Sequence, residues 1–202
     1  MSLPPRWVLA TANRGKAAEL ETLLAESGLG LTLLAQSDLG VSGAAETGAT
    51  FIENALLKAR HATRATGLPA IADDSGLRVP ALGGAPGVRS ARFAGADAND
   101  RANIAKLLAA LAGLPREQRG ASFHCVLVAL LHADDPAPVV AAAEWSGEIT
   151  TAPRGAHGFG YDPLFFDPTL GKTAAELPPG VKNRVSHRGA AVRQLSELLQ
   201  KR

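Results

Sequence analysis

The sequence of 202 residues has a single cysteine, almost no net charge and no long apolar run, and each scarcity excludes a class of protein. The lone Cys125 excludes an internal disulfide framework and favours a reducing compartment. The net charge is +2 and the basic residues are scattered, so nothing in the composition points to a nucleic-acid partner. The longest aliphatic run, residues 126–131, is far too short to cross a bilayer as a helix. The first ten residues lack the apolar segment of a secretory signal, and we expect a cytoplasmic protein without a membrane contact.

The remaining composition and the hydrophobic spacing indicate one α/β domain over residues 1–202. Hydrophobic residues make up 46% and charged residues 20%, which fits a globular chain whose core is stable without disulfides or a structural metal. The pattern predicts strands at 7–10, 31–35, 70–72, 122–131 and 139–149, and helices at 16–27, 50–66, 100–112 and 186–201. Strand–helix units followed by a hairpin predict a mixed sheet flanked by helices.

The polar turn after the first strand is a candidate phosphate site. Its residues are Thr11, Ala12, Asn13, Arg14, Gly15 and Lys16. They place backbone N–H groups, a hydroxyl, an amide and an ammonium at a helix N-terminus, which carries partial positive charge. The turn is not a Walker A loop, because Ala occupies positions 10 and 17. An ordinary polar turn with an exposed lysine is the alternative.

The run Asp73-Asp74-Ser75-Gly76 is a candidate metal site. It follows the strand predicted at 70–72, at the edge where open α/β sheets bind their ligands. Neighbouring strand residues point to opposite faces, so we expect one aspartate to enter the site. Carboxylates suit Mg²⁺, with Glu46 and Glu53 as candidate further oxygens. The alternative is an aspartate that caps a turn.

Two further segments are candidates for binding the organic part of a ligand. In the segment that ends at Asp162, the aromatic rings of Phe159 and Tyr161 could stack on a base. The glycines beside them, including Gly160, would let the edge of the base approach the main chain. Both aromatic residues could equally belong to the core. Residues 182–188 cluster cationic and titratable side chains near a helix start, as an anion or oxo-group site would, or as a solvated basic cap would.

Taken together, these segments resemble the inosine triphosphate pyrophosphatase family along almost the whole chain, from about residue 6 to residue 200. The ordered motifs are T-x-N-x-x-K at 11–16, E-T-G-x-T-F-x-E-N-A at 46–55, A-D-D-S-G-L at 72–77, G-G-A-P-G-V-x-S-A-R at 83–92, G-F-G-Y-D-P at 158–163 and S-H-R at 186–188. Ala45 and Glu46 stand where members of that family often carry two acidic residues.

The resemblance implies a two-lobed α/β fold with an elongated mixed sheet, a homodimer, and Mg²⁺-dependent cleavage of dITP, ITP and XTP to the monophosphate and pyrophosphate. It also implies roles for individual residues. Residues 11–16 would bind the phosphates, Glu46 and Asp74 the metal, and Asp74 would accept the proton of the attacking water. Ser75 would contact the substrate. The nucleoside pocket would consist of Phe159, Gly160, Tyr161, Asp162, Lys182, His187 and Arg188.

The chemistry of position 6 would account for discrimination against adenine, although not against guanine, which shares the 6-oxygen. Inosine and xanthine carry an oxygen there, so donors such as Arg188 or His187 would leave the amino group of adenine unpaired. Three other functions stay open at this point. A related pyrophosphatase could act on pyrimidine or methylated nucleotides, a nucleotide-binding regulator would lack catalysis, and a nucleic-acid binder would use surface arginines.

Overall fold

The computed structural model describes residues 3–202. Met1 and Ser2, which belong to the predicted domain, lie outside the described residues. The helices are α1 (Arg14–Glu26), α2 (Phe51–Thr66), α3 (Asp100–Ala110), α4 (Pro179–Val185) and α5 (His187–Gln200). The strands are β1 (Arg6–Ala10), β2 (Thr32–Ala35), β3 (Ala70–Arg78), β4 (Gly120–Leu130), β5 (Val139–Ile149), β6 (Phe165–Asp167) and β7 (Lys172–Thr173). No helix within residues 3–202 is long and apolar enough to span a membrane.

The strands form one mixed sheet in the order β2-β1-β3-β4-β5-β6-β7. β1 pairs in parallel with both β2 and β3, whereas β6 pairs antiparallel with β5 and β7. β4 and β5 are consecutive in the chain and adjacent in the sheet, as the predicted hairpin requires. The predicted α/β class with a mixed sheet flanked by helices is confirmed.

The chain forms two compact units, each assembled from separate segments. Unit 1 consists of residues 1–74, 125–143 and 188–202, of which the first two are not described, and unit 2 consists of residues 75–124 and 144–187. The predicted strand at 70–72 is too short, because β3 runs on through Asp73, Asp74, Ser75 and Gly76 to Arg78. Four polar or small residues inside a strand do not look like a strand in sequence. The sequence prediction also omitted α4 and β7, whereas the strand expected to follow the glycine- and aromatic-rich turn at 158–166 corresponds to β6.

Unit 1 buries both faces of its strands. Trp7 and Leu9 of β1 pack with leucines of α1 and with the apolar side of α5, while Val8 and Ala10 pack with alanines of α2. This alternation is the one that a strand with two covered faces requires. The same alternation continues along β3, where Ile71 lies on the α1 and α5 face and Ala72 on the α2 face.

Unit 2 has its own core, built largely from aromatic and leucine side chains. Phe123 lies 4.5 Å from Phe165 between ring centroids, and Trp145 lies 4.8 Å from Phe165. The buried Arg119 donates to three main-chain carbonyls, those of Leu111, Ile149 and Thr150, at 2.8–2.9 Å. A buried guanidinium thereby joins three segments of the unit through its rigid fork of donors.

Candidate active site

The register of the parallel strands brings the start of α1 beside the acidic residues of β3. Ala10 pairs with Ala72, so the chain leaves β1 at the level where β3 continues into Asp73. Asn13 caps α1, and its side-chain oxygen accepts the backbone N–H of Lys16 at 3.0 Å. The Lys16 ammonium lies 3.2 Å from Asp73 Oδ1. The predicted phosphate turn therefore holds its lysine beside a carboxylate.

The helix begins two residues earlier than predicted, so only part of the predicted turn is a turn. Thr11 and Ala12 lie between β1 and the helix cap, and Arg14 and Gly15 are the first two residues of α1. The Thr11 hydroxyl accepts the backbone N–H of Asn13 at 3.3 Å. That bond orders the turn just before the helix N-terminus, where backbone donors and partial positive charge favour an anion.

Asp73 is fully buried at the centre of a cluster of charges in unit 1. Arg188 Nε lies 3.3 Å from Asp73 Oδ2, and the Cys125 thiol donates to the same oxygen at 3.2 Å. Arg188 also donates to Glu19 of α1 at 2.5 Å. Burial alone would raise the pKa of Asp73, but the positive charges of Lys16 and Arg188 outweigh burial and hold the pKa well below its usual range. Asp73 therefore stays ionised.

Asp74 faces a different group of partners, drawn from α2 and the loop before it. Lys58 Nζ lies 2.8 Å from Asp74 Oδ1 and 3.0 Å from Glu46 Oε1. Asn54 Nδ2 donates to Asp74 Oδ2 at 3.3 Å, and its own oxygen accepts the backbone N–H of Gly48 at 2.8 Å. The loop that carries Glu46 is thus tied to the helix that carries Lys58.

The start of α2 is fixed by a capping box that uses one of the candidate metal ligands. Thr50 accepts the backbone N–H of Glu53, and the Glu53 carboxylate accepts the Thr50 N–H at 2.8 Å. Glu53, the second candidate oxygen for a metal, is therefore engaged in helix capping. Asn54 and Lys58, one helical turn apart on α2, are both buried and both reach Asp74.

The pKa of Asp74 is shifted in the opposite direction from that of Asp73, because fewer positive charges compensate for its burial. Burial raises the pKa of Asp74, and the positive charge of Lys58 opposes that rise without cancelling it. Burial would lower the pKa of Lys58, but the charges of Asp74, Asp73 and Glu46 raise it, so this lysine stays charged. A carboxyl with a raised pKa is better suited to accept a proton than the strongly acidic Asp73.

The carboxylates of Asp74 and Glu46 fit a hard divalent cation. Both lie within 3.0 Å of one ammonium, that of Lys58, so they already face a common positive charge. Residues 3–202 contain no cluster of three or more His, Cys, Asp or Glu able to hold a metal. Two protein carboxylates are nevertheless enough for Mg²⁺, which commonly takes its remaining ligands from water and substrate phosphates.

In unit 2, the turn at residues 158–162 is closed around the Asp162 carboxylate. Asp162 Oδ2 accepts the backbone N–H of Phe159 at 2.9 Å and lies 2.5 Å from Lys182 Nζ. Gly158 has a φ of +76°, and a Cβ placed there would lie 2.0 Å from the same oxygen. Lys182 also lies 5.2 Å from the centre of the Phe159 ring. Phe159, Asp162 and Lys182 therefore form one arrangement, although Lys182 lies in a different motif from the other two.

Tyr161 and His187 are buried in unit 2 rather than exposed to solvent. The Tyr161 ring belongs to the core of the unit, as the alternative interpretation expected. The His187 ring stacks on Phe123, with centroids 4.8 Å apart and an angle of 12° between planes. Ser75, the predicted substrate contact, is 8% exposed on β3. With Lys182 and Arg188 also buried, a fully solvated basic cap at residues 182–188 is excluded.

Sequence reasoning missed Lys58, Glu19 and the role of Asn54. Lys58 lies on the buried face of a helix, where most of the other residues are alanines. A lysine on such a face indicates a buried charged partner, and this signal was available in the sequence. Glu19 lies on α1, three residues after Lys16, and its partner Arg188 is 169 residues away in the chain. No local pattern in the sequence connects those two residues.

The mixed sheet, with an acidic pair on β3 that is held by lysine and arginine side chains, defines an α/β protein with a charged site built on one strand of its sheet. The chain belongs to the Ham1 family, whose model matches residues 7–198. This membership confirms the family resemblance found in the motifs.

Individual relatives agree with this assignment. A dITP/XTP pyrophosphatase of Yersinia pseudotuberculosis is 61% identical, over 95% of this chain and 96% of the relative. A protein of the same name from Escherichia coli (strain K12) is 58% identical over the same shares. The structure of a HAM1 protein from Coxiella burnetii superposes with a TM-score of 0.89 at 48% identity, covering 98% of this chain and all of the other. The Staphylococcus aureus Ham1 protein gives 0.84 at 38% identity, covering 97% and 98%.

Proposed function

We propose that this protein hydrolyses the non-standard purine nucleoside triphosphates dITP, ITP and XTP to the monophosphate and pyrophosphate. The observation that carries the proposal is the buried pair Asp73 and Asp74 with Lys16, Lys58 and Arg188 around it. The names of relatives about 60% identical supply the substrate class. Such an enzyme would remove these nucleotides from the pool before they enter DNA or RNA.

The cations of unit 1 account for binding of the triphosphate. Lys16 and Lys58 are point charges for phosphate oxygens, and the N-terminus of α1 adds backbone donors. In phosphoryl transfer, charge spreads over the phosphate oxygens as the reaction proceeds, so fixed cations supply most of the stabilisation. Both lysines are held by carboxylates, which limits the reorganisation needed when a substrate arrives.

Asp74 is the proposed proton acceptor. The oxygen of a water molecule forms a bond to the α-phosphorus, the bond from that phosphorus to the bridging oxygen breaks, and pyrophosphate leaves. The proton of the water passes to the carboxylate of Asp74, whose raised pKa suits that role. Asn54 and Lys58 fix the orientation of this carboxylate by binding one oxygen each.

We propose Mg²⁺ as the cofactor, with Asp74 and Glu46 as its protein ligands. When bound, the ion would neutralise phosphate charge and orient the triphosphate. The donor chemistry supports this choice, since both ligands are carboxylates and neither a histidine nor a thiol is involved.

For the nucleoside, we propose Phe159, Gly160, Tyr161, Asp162, Lys182, His187 and Arg188. The contacts within residues 158–162 support a preformed turn beside an aromatic face. Arg188 lies in unit 1 on Asp73 and Glu19, so its proposed part in reading the 6-oxygen stays a prediction. We also propose a cytoplasmic homodimer with no nucleic-acid partner, for which the family resemblance and the small net charge are the support.

The deciding experiment is pyrophosphate release from a panel of nucleoside triphosphates, with and without Mg²⁺. We expect dITP, ITP and XTP to be cleaved far faster than ATP, GTP and the pyrimidine nucleotides. Preference for a pyrimidine or methylated nucleotide would support the related-pyrophosphatase alternative. Tight nucleotide binding without pyrophosphate release would show a regulator instead.

A further inference from the structure

The turn at residues 158–162 is held from outside by a residue that none of the predicted motifs contains. Asp100 is the first residue of α3, and its Oδ2 accepts the backbone N–H of Gly160 at 2.7 Å. The helix itself is capped by the preceding Asn99, whose side chain accepts the N–H of Ala102 at 2.9 Å. The Asp100 carboxylate is therefore not needed as the cap, although its charge suits the helix N-terminus.

The next residue of the turn has a second external attachment. The Tyr161 hydroxyl donates to the main-chain carbonyl of Ser90 at 2.9 Å. Ser90 is itself fixed, because its hydroxyl accepts the N–H of Leu77 at 2.9 Å and donates to the carbonyl of Gly87 at 2.6 Å. Burial and the charge of Asp100 raise the pKa of Tyr161, so its hydroxyl stays protonated and able to donate.

Both partners of the turn, Asp100 and Ser90, belong to one connected part of unit 2, which consists of α3 and the segment 90–94 and is called the α3 platform below. The buried Asn103 of α3 accepts the N–H of Ala94 at 2.8 Å and donates to the carbonyl of Ala91 at 3.0 Å. These two bonds fasten α3 to the segment that follows Ser90. Asp100 and Ser90 therefore cannot move independently, and they hold consecutive residues of the turn against one support.

The peptide between Gly160 and Tyr161 is the part of the turn that can still form hydrogen bonds with a ligand. The backbone N–H groups of Phe159 and Gly160 are engaged by Asp162 and Asp100, and the Phe159 carbonyl accepts the N–H of Asp162 at 3.2 Å. Among residues 3–202, the carbonyl of Gly160 and the N–H of Tyr161 have no hydrogen-bond partner. The Asp100 bond and the Tyr161 side-chain bond flank that peptide on its two sides.

We infer that Asp100 is a positioning residue for base recognition, because it fixes the Gly160–Tyr161 peptide against the α3 platform. The inference rests on the proposed function, in which this turn meets the purine. A base is recognised by directed hydrogen bonds. A turn that can rotate would therefore discriminate less well between a purine with an oxygen at position 6 and one with an amino group there. Loss of the Asp100 attachment should then reduce selectivity more than it reduces the rate of cleavage.

The test compares Asp100→Ala and Asp100→Asn with Asp97→Ala in the full-length protein. Asp97 is an exposed aspartate three residues earlier in the chain, so its variant matches the loss of charge. For each protein, kcat and KM are measured with ITP and ATP, and hydrogen exchange is followed by mass spectrometry for peptides that cover residues 158–162. The second readout does not depend on turnover.

For Asp100→Ala we expect a roughly tenfold loss in the ratio of kcat/KM for ITP over ATP, carried mainly by KM for ITP. This is the low end for losing a hydrogen bond to a charged acceptor. Hydrogen exchange in the turn should rise about tenfold, and Asp100→Asn should fall between the alanine variant and the wild type. Asp97→Ala should match the wild type in both readouts.

Unchanged exchange at residues 158–162 in Asp100→Ala would overturn the positioning role whatever the activity. Unchanged selectivity in an active Asp100→Ala protein would overturn its connection to base recognition. Absence of pyrophosphate release by the wild type from every triphosphate would instead refute the proposed function, and the exchange measurement would still decide whether Asp100 fixes the turn. Tyr161→Phe provides a second variant, since it removes the other attachment alone, and it should lower the same ratio.

Discussion

Asp73 and Asp74 are adjacent on β3, yet their carboxylates face opposite sides of the strand. Asp73 meets Lys16 of α1 and Arg188 of α5, and Asp74 meets Lys58 of α2. The alternation of side chains along a strand accounts for this division, because α1 and α5 cover one face and α2 the other. Two neighbouring acids consequently have different electrostatic surroundings and different expected roles.

The first prediction separates those roles. Asp74→Asn should fold normally and lose at least about 10²-fold in turnover, because it removes the proposed base and a metal oxygen. Asp73→Asn should mainly lose stability, by about 3–5 kcal/mol, because it leaves the buried Arg188 and the partly buried Lys16 without their shared carboxylate. Urea unfolding and pyrophosphate release on both variants provide the measurement. Near-wild-type activity of Asp74→Asn would refute the catalytic assignment.

The second prediction concerns the metal. Chelator should abolish pyrophosphate release and Mg²⁺ should restore it, while Ca²⁺ should substitute poorly because its coordination is longer and looser. Glu46→Gln should raise the Mg²⁺ concentration needed for half-maximal activity. Glu53→Gln is the matched control, and should shift neither that concentration nor, by much, the stability, because a glutamine at this position can still accept the Thr50 N–H of the capping box. Full activity in excess chelator would remove the metal from the mechanism.

The third prediction addresses Arg188. If the Arg188 guanidinium donates to the 6-oxygen of the base, Arg188→Ala should lower the ratio of kcat/KM for ITP to kcat/KM for ATP by about 10–150-fold. This is the effect expected from the loss of one hydrogen bond with a charged donor, about 1.5–3 kcal/mol. The exposed Arg184, four residues earlier, is the matched control. An equal fall for both substrates would assign Arg188 to the charge cluster of Asp73 and Glu19, and not to base selection.

The fourth prediction uses two glycines of one turn. Gly158 and Gly160 have φ angles of +76° and +60°, so alanine is strained at both positions. A Cβ at Gly160 meets no atom within 4 Å, whereas a Cβ at Gly158 collides with the Asp162 carboxylate. Gly160→Ala should therefore cost about 1 kcal/mol of stability, and Gly158→Ala should in addition raise KM for ITP by displacing Asp162 from Lys182. Thermal unfolding and steady-state kinetics distinguish the two effects.

The fifth prediction concerns Arg119. Arg119→Lys should lower the free energy of unfolding by about 3 kcal/mol, because one ammonium cannot satisfy three carbonyls arranged for a guanidinium fork. Arg116→Lys, at an arginine with a 68% exposed side chain, should change it by less than about 0.5 kcal/mol. Equal effects in urea unfolding would show that the carbonyl contacts contribute little.

Helical periodicity predicted α1, α2, α3 and α5 to within two residues at every end, because their apolar faces and caps are local features. β3 was predicted too short for a different reason. A strand that carries Asp73 and Asp74 is stable only with cations from α1, α2 and α5, and Arg188 lies 115 residues from Asp73 in the chain. The motifs identified the candidate residues, but their pairing depends on tertiary contacts that no local spacing encodes.

The division of the chain into interleaved segments has a consequence for its synthesis. Unit 1 begins with the first segment of the chain and is completed only by residues 188–202, and unit 2 is completed only at residue 187. Neither unit can finish folding before its last segment has been made, so each last segment must join segments that were synthesised long before it. The pair of Asp73 with Arg188 forms only at that last stage. A ribosome that stops shortly before residue 188 would release a chain whose central aspartate lacks one of its balancing cations.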